Sequence, residues 1–196
     1  MRRLLGALHL REAQAMTRAE PAEAFTRDFT VRAARAPEEV AALMALRRAV
    51  FVAEQGVFAG DDRDAIDAVA MPLVALSGAE VVGTVRIHEA EPGVWWGSRL
   101  AVAEEYRRVG KLGAELIRLA VGTARARGAS SFHAHVQRRN AALFRRLHWR
   151  IDHEVELHGM PHLRMTASLE HYAPIHEPAT GWRVTVPGPG AIGGGS

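Results

Sequence analysis

His133 and His135 stand two residues apart in SFHAHV, a stretch that reads as a strand, so both imidazoles project from one face. An imidazole changes charge near neutral pH and can take a proton at low cost, although paired strand histidines equally serve as hydrogen-bonded structural groups. A second set of candidates is cationic. Arg86 in GTVRIH and Arg99 in GSRLAV lie on strand-like segments, where a guanidinium fork matches a carboxylate of a ligand or of the protein itself. The acidic run holding Asp61, Asp62, Asp64 and Asp67 either draws a cation towards a site or forms a hydrated loop. A third candidate is the turn Arg107, Arg108, Val109, Gly110, Lys111, Leu112, Gly113, set between an apolar strand and an amphipathic helix. Gly110 and Gly113 allow close approach, the unpaired amides and positive dipole end of the helix suit a phosphate, and the basic residues add charge of matching sign.

These groups need a scaffold, and its elements are legible. Phe29–Ala33, Leu73–Leu76, Val81–His88, Trp95–Val102 and Ser131–Val136 read as strands. Pro37-Glu38-Glu39 opens a helix with proline in its first position and acids in its first turn, predicted to bury Val40, Leu43, Leu46 and Val50. Leu112, Leu116, Leu119, Ala120 and Ala124 form the apolar face of the helix after the glycine turn, and Gly128 stops it. A short helix follows Asn140, and a last hairpin turns at Gly159-Met160-Pro161. Strands with interspersed helices predict an α/β fold around one mixed sheet.

The segments Ser98–Gly128 and VQRRNAALFRRLHW, which ends at Trp149, together resemble the GNAT superfamily of acyl-CoA-dependent N-acyltransferases. That family's pyrophosphate loop is (Arg/Gln)-x-x-Gly-x-(Gly/Ala), and its next block carries an asparagine followed by an aromatic. RRAVFVAEQGVFAGDDRD, GTVR, GSRLAV and HGMPH are similar to a subfamily named for nitrogen starvation and found beside nitrilase-type enzymes. The resemblance implies a GNAT-like mixed, mostly antiparallel sheet of about seven strands flanked by helices. It also implies an acyl-CoA donor, with acetyl-CoA the first choice, and a small, amino-acid-like amine as acceptor. Main-chain amides of Leu100, Ala101 and Val102 are then expected on the pantetheine arm and the oxyanion. Arg107, Arg108, Val109, Gly110, Lys111 and Gly113 are expected on the diphosphate, with Asn140 and Phe144 also on the cofactor. Arg86, Arg99 and Asp61 are assigned to the acceptor. An amine with a pKa near ~10.4 needs a base, directly or through water. Glu54, at the end of the first helix, is the first candidate, with His133 and His135 as alternatives.

Departures from the family pattern matter too. Leu112 stands where the loop wants a small residue, His148 where a glycine is common, and Phe144 where many members place a tyrosine that protonates the departing thiolate. Two rival readings share the sheet: an acyl-homoserine-lactone synthase, which predicts a deep apolar acyl tunnel, and a non-catalytic CoA-binding sensor or partner subunit.

Composition bounds the rest. The 196 residues, 48% hydrophobic, suit one domain with a substantial core. The absence of cysteine excludes disulfides, thiol catalysis and thiolate metal ligation, and suits the cytoplasm. A pI near 10.1 resembles that of a nucleic-acid binder. Its basic residues nevertheless cluster in and beside the glycine turn, where a polyanionic thioester accounts for them without nucleic acid. No apolar run approaches the ~20 residues that span a bilayer, so no membrane partner is expected. No metal is expected either, because Gly159 and Pro161 break the helix that His158-x-x-x-His162 needs for paired ligation. Residues 1–27 read as a poorly ordered or helical extension, 28–172 as the acyltransferase domain and 173–196 as a Pro/Gly-rich tail or linker, with a homodimer left open.

Overall fold

The computed structural model describes residues 26–107 and 111–187. One eight-stranded sheet organises them, in the order β6-β7-β5-β4-β3-β2-β1-β8. The strands are β1 Thr26–Ala33, β2 Met71–Ser77, β3 Glu80–Glu91, β4 Val94–Val102, β5 Ser131–Gln137, β6 Trp149–Leu157, β7 Met160–Ala167 and β8 Trp182–Pro187. Every pairing is antiparallel except β4 with β5. The mixed, mostly antiparallel α/β sheet is as expected, one strand larger than the expected seven.

The extra strand corrects the reading of residues 173–196 as a tail. Trp182, Val184 and Val186 alternate, and β8 pairs with β1 from Thr26↔Pro187 to Val31↔Trp182. Gly181 makes the entry possible at φ +61°, where a Cβ would meet the carbonyl oxygen of Val31 at 1.9 Å.

Helices cover both faces. On one side, α1 (Pro37–Arg48) continues into a π-helical turn, Ala49–Glu54, and seals a small core of Leu43, Val74, Leu76 and Val81. Leu43 and Val50 are buried as expected, while Val40 and Leu46 are only half-buried. On the other side, α3 (Lys111–Ala126) lays the expected Leu112, Leu116, Leu119, Ala120 and Ala124 into the main core, each almost wholly removed from water. The short α2 (Glu104–Arg107) precedes it, and α4 (Ala141–Arg146) packs Phe144 against Trp149. No helix among the described residues is long and apolar enough to cross a membrane.

Two irregularities open the sheet at its centre. Thr84 pairs with Ala101 but Arg86 with Ser98, so Arg99 and Leu100 of β4 stand opposite Val85 alone. This is a β-bulge, with Arg99 in the left-handed region at φ +56°. On its other side β4 pairs with β5 only from Val94↔Ser131 to Gly97↔Ala134. Beyond Gly97 the two strands diverge, and the main chain of Ser98–Val102 has no β5 partner.

Candidate active site

The divergence of β4 and β5 opens a cavity of about 460 Å³ that reaches from one face of the sheet to the other. Its outer wall carries polar and aromatic groups, Gln55, Phe58, His88, Trp96, Arg99 and His135 among them. Gln137 Nε2 donates to Gln55 Oε1 at 3.0 Å, tying the end of β5 to the end of the first helix across the mouth. Asn140, Phe144 and Leu100 line the same space.

The two histidines of β5 part company here. His133 is buried, and both ring nitrogens are engaged, Nδ1 with Thr166 Oγ1 at 2.8 Å and Nε2 with Ser131 Oγ at 3.1 Å. Thr166 in turn donates to Asp152 at 2.6 Å, so the chain of bonds locks β5, β7 and β6 together and does not point His133 at a ligand. His135 instead lines the cavity, its ring 4.9 Å from that of Trp96. Burial first, then the neighbouring His162, Arg164, His153 and His133, push its pKa below the ordinary imidazole value. The neutral ring, a proton acceptor, therefore dominates at neutral pH. His162, which sequence reasoning did not assign to the site, also lines the cavity. Its Nδ1 donates to the Met160 carbonyl at 3.0 Å, which leaves Nε2 as the acceptor nitrogen.

Glu54 lies off the cavity wall. Arg107 grips it with two hydrogen bonds, Nη1 to Oε1 at 2.6 Å and Nη2 to Oε2 at 2.5 Å, while Arg107 Nε donates to the Val102 carbonyl at 2.8 Å. The hydrogen bond from Arg107 is the main reason the Glu54 carboxyl sits below its usual pKa, which makes it a weak proton acceptor. The pairing fastens the end of β4 to the end of the first helix. Arg108, Val109 and Gly110 lie outside the described residues. Lys111 opens α3 and reaches the Thr185 carbonyl at 3.3 Å, and a Cβ on Gly113 would touch only Leu143, at 3.9 Å.

The acidic run is not a hydrated loop. Arg47, 1% exposed, donates to Asp62 at 2.7 Å and to Asp67 at 2.6 Å. Arg86 holds Asp64 with both terminal nitrogens, at 2.6 and 2.7 Å, and bonds Asp67 and Ser98 as well. Arg99 donates to Asp62 and Asp64. Three arginines and three aspartates thus form one web, buried at Arg47, Asp62 and Arg86 and open to solvent at Asp64, that clamps residues 62–67 onto β3 and β4. Burial acts to lower the pKa of Arg47, but its hydrogen bonds to Asp67 and Asp62 outweigh it and hold the guanidinium above its usual value. Asp61, expected on the acceptor, stands outside this web, exposed and paired with Arg63 at 2.6 Å.

Arg86 is fully committed to the web, whereas Arg99 is not. Its Nη1 has no hydrogen-bond partner among the described residues, and its guanidinium lies 4.4 Å from the Phe58 ring centre on the cavity wall. Burial and the repulsion of Arg86 lower its pKa, against the opposing pull of Asp64 and Asp62. Phe58 is held from the other side by His158, ring centres 4.5 Å apart. His158, like Arg99, is a non-glycine residue with positive φ. For Arg99 this belongs to the β4 bulge, and for His158 to the two-residue hairpin turn with Gly159 between Leu157 and Met160.

Known structures share this architecture. A protein of Lactobacillus plantarum, described as a candidate N-acetyltransferase, superposes with a TM-score of 0.66 at 24% identity, over 72% of this chain and 98% of its own. ElaA of Escherichia coli gives 0.63 at 21% identity, over 71% and 98%. BjaI, a CoA-dependent acyl-homoserine lactone synthase solved with SAM and isopentyl-CoA, gives 0.59 at 18% identity, over 70% and 82%. No curated protein matches the sequence. Residues 26–149, which carry the bulged strand, the diverging pair and the helix that follows, match the Acetyltransferase (GNAT) family, and the chain belongs to that family of acyl-CoA-dependent acyltransferases.

Proposed function

We propose that the protein transfers an acyl group from a CoA thioester to the amine of a small acceptor that also carries a carboxylate, with His135 as the base. The observation that carries this reading is the cavity at the β4–β5 divergence, where the His135 imidazole and the Arg99 guanidinium, with its Nη1 free among the described residues, share one wall. The acceptor carboxylate docks on Arg99 Nη1, and its amine gives up a proton to His135, directly or through water. The amine nitrogen then bonds the thioester carbonyl carbon, and the carbon–sulfur bond breaks. Amides of Ser98–Val102, free of β5, are the groups available to the developing oxyanion. Phe144 has no proton to give. The departing thiolate, with a free pKa near ~8.5, takes its proton from solvent, at some cost in rate.

Acetyl-CoA is the donor that the family resemblance suggests. Its diphosphate is assigned to the start of α3 with Arg108, Val109, Gly110, Lys111 and Gly113, and Asn140 and Phe144 flank its arm. Lack of cysteine fits a cytoplasmic setting. A second reading, lactone formation of the kind named for BjaI, is favoured by the apolar lining of the cavity and predicts an amide product that also carries a lactone ring, rather than an open-chain amide.

The test is release of free thiol from acyl-CoA with a panel of amino acids and simple amines, with products identified by mass. A chain without cysteine contributes no thiol background. Turnover that depends on the acceptor carboxylate supports the proposal; thioester binding with no turnover on any amine sinks it in favour of a CoA sensor.

A further inference from the structure

The nitrogen of a neutral primary amine carries one lone pair and two N–H bonds. One of its protons goes to the base as the carbon–nitrogen bond forms. The other stays on the product amide, and the direction in which it is held decides where the lone pair points. A nitrogen bound by its base alone is free to turn about that one hydrogen bond. A second acceptor on the same wall fixes it.

His162 stands where such an acceptor is needed. In the β5–β7 ladder His135 pairs with Arg164 and Gln137 with His162, so His135 and His162 are diagonal neighbours on one face of the sheet. Diagonal neighbours are about 7–8 Å apart at the backbone, with their side chains closer. Two acceptors that share one nitrogen, each about 3 Å from it, are about 5 Å apart, a span that two imidazoles so placed can bridge. Nδ1 of His162 is spent on the Met160 carbonyl, and Nε2 has no hydrogen-bond partner among the described residues although the ring is only 8% exposed. Both rings line the cavity. The other imidazoles on the wall are placed differently: His88 lies two strands from His135 with Trp96 between them, and His158 packs on Phe58. Asp64, the carboxylate on this wall among the described residues, is taken by Arg86 and Arg99.

We infer that His162 Nε2 accepts the second N–H of the acceptor amine, so that His135 and His162 together select a primary amine over a secondary one. The inference rests on the acyltransferase reading above, with His135 as base, and adds the class of amine. One N–H of the bound acceptor points at His135, the other at His162, and the lone pair faces the thioester carbonyl carbon. His135 takes its proton as the carbon–nitrogen bond forms and the carbon–sulfur bond breaks, and the N–H on His162 becomes the amide N–H of the product. An N-methyl amine has a single N–H. Its methyl group either meets Nε2 and leaves a buried acceptor without a donor, or takes the place of the proton that His135 must remove.

The experiment compares kcat/KM for a primary amine with that for its N-methyl derivative, by thiol release from acyl-CoA, in the intact protein and in variants at His162. The unaltered protein is expected to favour the primary amine by about tenfold or more. His162→Gln, which keeps an acceptor oxygen, should retain most of that preference. His162→Val, which suits a strand and offers no acceptor, should lower kcat/KM on the primary amine about tenfold and bring the two substrates within about threefold of each other. His162→Leu takes its place, with the same expectation, where that variant does not fold. Equal turnover of both amines by the unaltered protein, or a preference that survives loss of the acceptor at 162, overturns the inference and leaves the acyltransferase reading standing. Failure to release thiol with any amine overturns both.

Discussion

His135 and Glu54 show how environment decides which of two plausible bases can work. Glu54 is a carboxylate whose lone pairs are spent on Arg107 and whose pKa is lowered by that bond. His135 keeps its ring free at the cavity, and burial with nearby positive neighbours holds it neutral. The rate on a saturating acceptor is therefore expected to fall as pH drops through an apparent pKa below the ordinary ~6.5, because protonation removes the acceptor nitrogen. His135→Gln should lower kcat by about 10²–10⁴-fold and abolish that acidic limb, while thioester affinity stays close to the parent value. Glu54→Gln should leave kcat near the parent value, since an exposed ion pair contributes only about 0–1 kcal/mol. Steady-state kinetics across pH on both variants checks the assignment, and a reversed ranking would return the base to Glu54. Arg99 offers a third residue-level test. Arg99→Lys keeps the charge but cannot hold Asp62 and Asp64 and still present a free N–H as Nη1 does, so KM should rise for an acceptor with a carboxylate and not for the matched amine without one.

The clamp of residues 62–67 is an element-scale device. α1 brings Arg47 up from beneath, β3 brings Arg86, and the bulge of β4 turns Arg99 inward, so three elements are held through three aspartates. Removing Arg47 leaves Asp62 to Arg99 alone and Asp67 to Arg86 alone, with one negative charge too many at the most buried point of the web. Arg47→Met is expected to cost about 3–5 kcal/mol, a drop in Tm on the order of 10 °C by thermal melt. A shift within error would mean that the acidic segment is held by its main chain alone. The strands, α1 and α3 were legible in sequence because apolar spacing of two or 3.6 reports the face each element buries, as Leu112, Leu116 and Leu119 do. Pairing across 15 to 37 residues leaves no such trace, so Asp62, Asp64 and Asp67 read as a solvated run and Arg47 as helix surface. β8 is a different kind of miss. Trp182, Val184 and Val186 carried the alternation of a strand, but the glycine-rich stretch beyond them suggested a tail. Within the site, alternation put His133 and His135 on one face yet could not tell the one bonded to Thr166 from the one facing the cavity. Arg99 was visible as a cation, but the free Nη1 that distinguishes it from Arg86 depends on where Asp62 and Asp64 lie.

At the scale of the whole molecule, the lowered pKa values act on folding. His88 and His133 are shifted down in the folded protein, chiefly by burial, with Arg86 and Arg164 respectively the next largest influences. The unfolded chain therefore binds their protons first as pH falls below about 6.5, and stability is lost between that point and the folded pKa values. The carboxylates follow at lower pH. Glu39 is pulled to about 2 by the Arg32 hydrogen bond, and Asp64 is lowered by its bonds from Arg86. Asp67 resists burial through its bonds from Arg47 and Arg86. For these groups the stability is present above the unfolded value near ~3.9–4.3 and is lost as pH falls through the folded one. Urea midpoints measured from pH 8 to pH 3 should thus decline in two stages, the first below about 6.5 and the second below about 4. His133→Asn removes a titrating group and should flatten only the first stage, and Asp67→Asn should weaken only the second. A single decline confined to the carboxylate range would mean that the buried histidines are protonated within the fold. His133 would then donate from both ring nitrogens, and the hydrogen-bond chain through Thr166 to Asp152 would hold an imidazolium in place of the neutral ring described above.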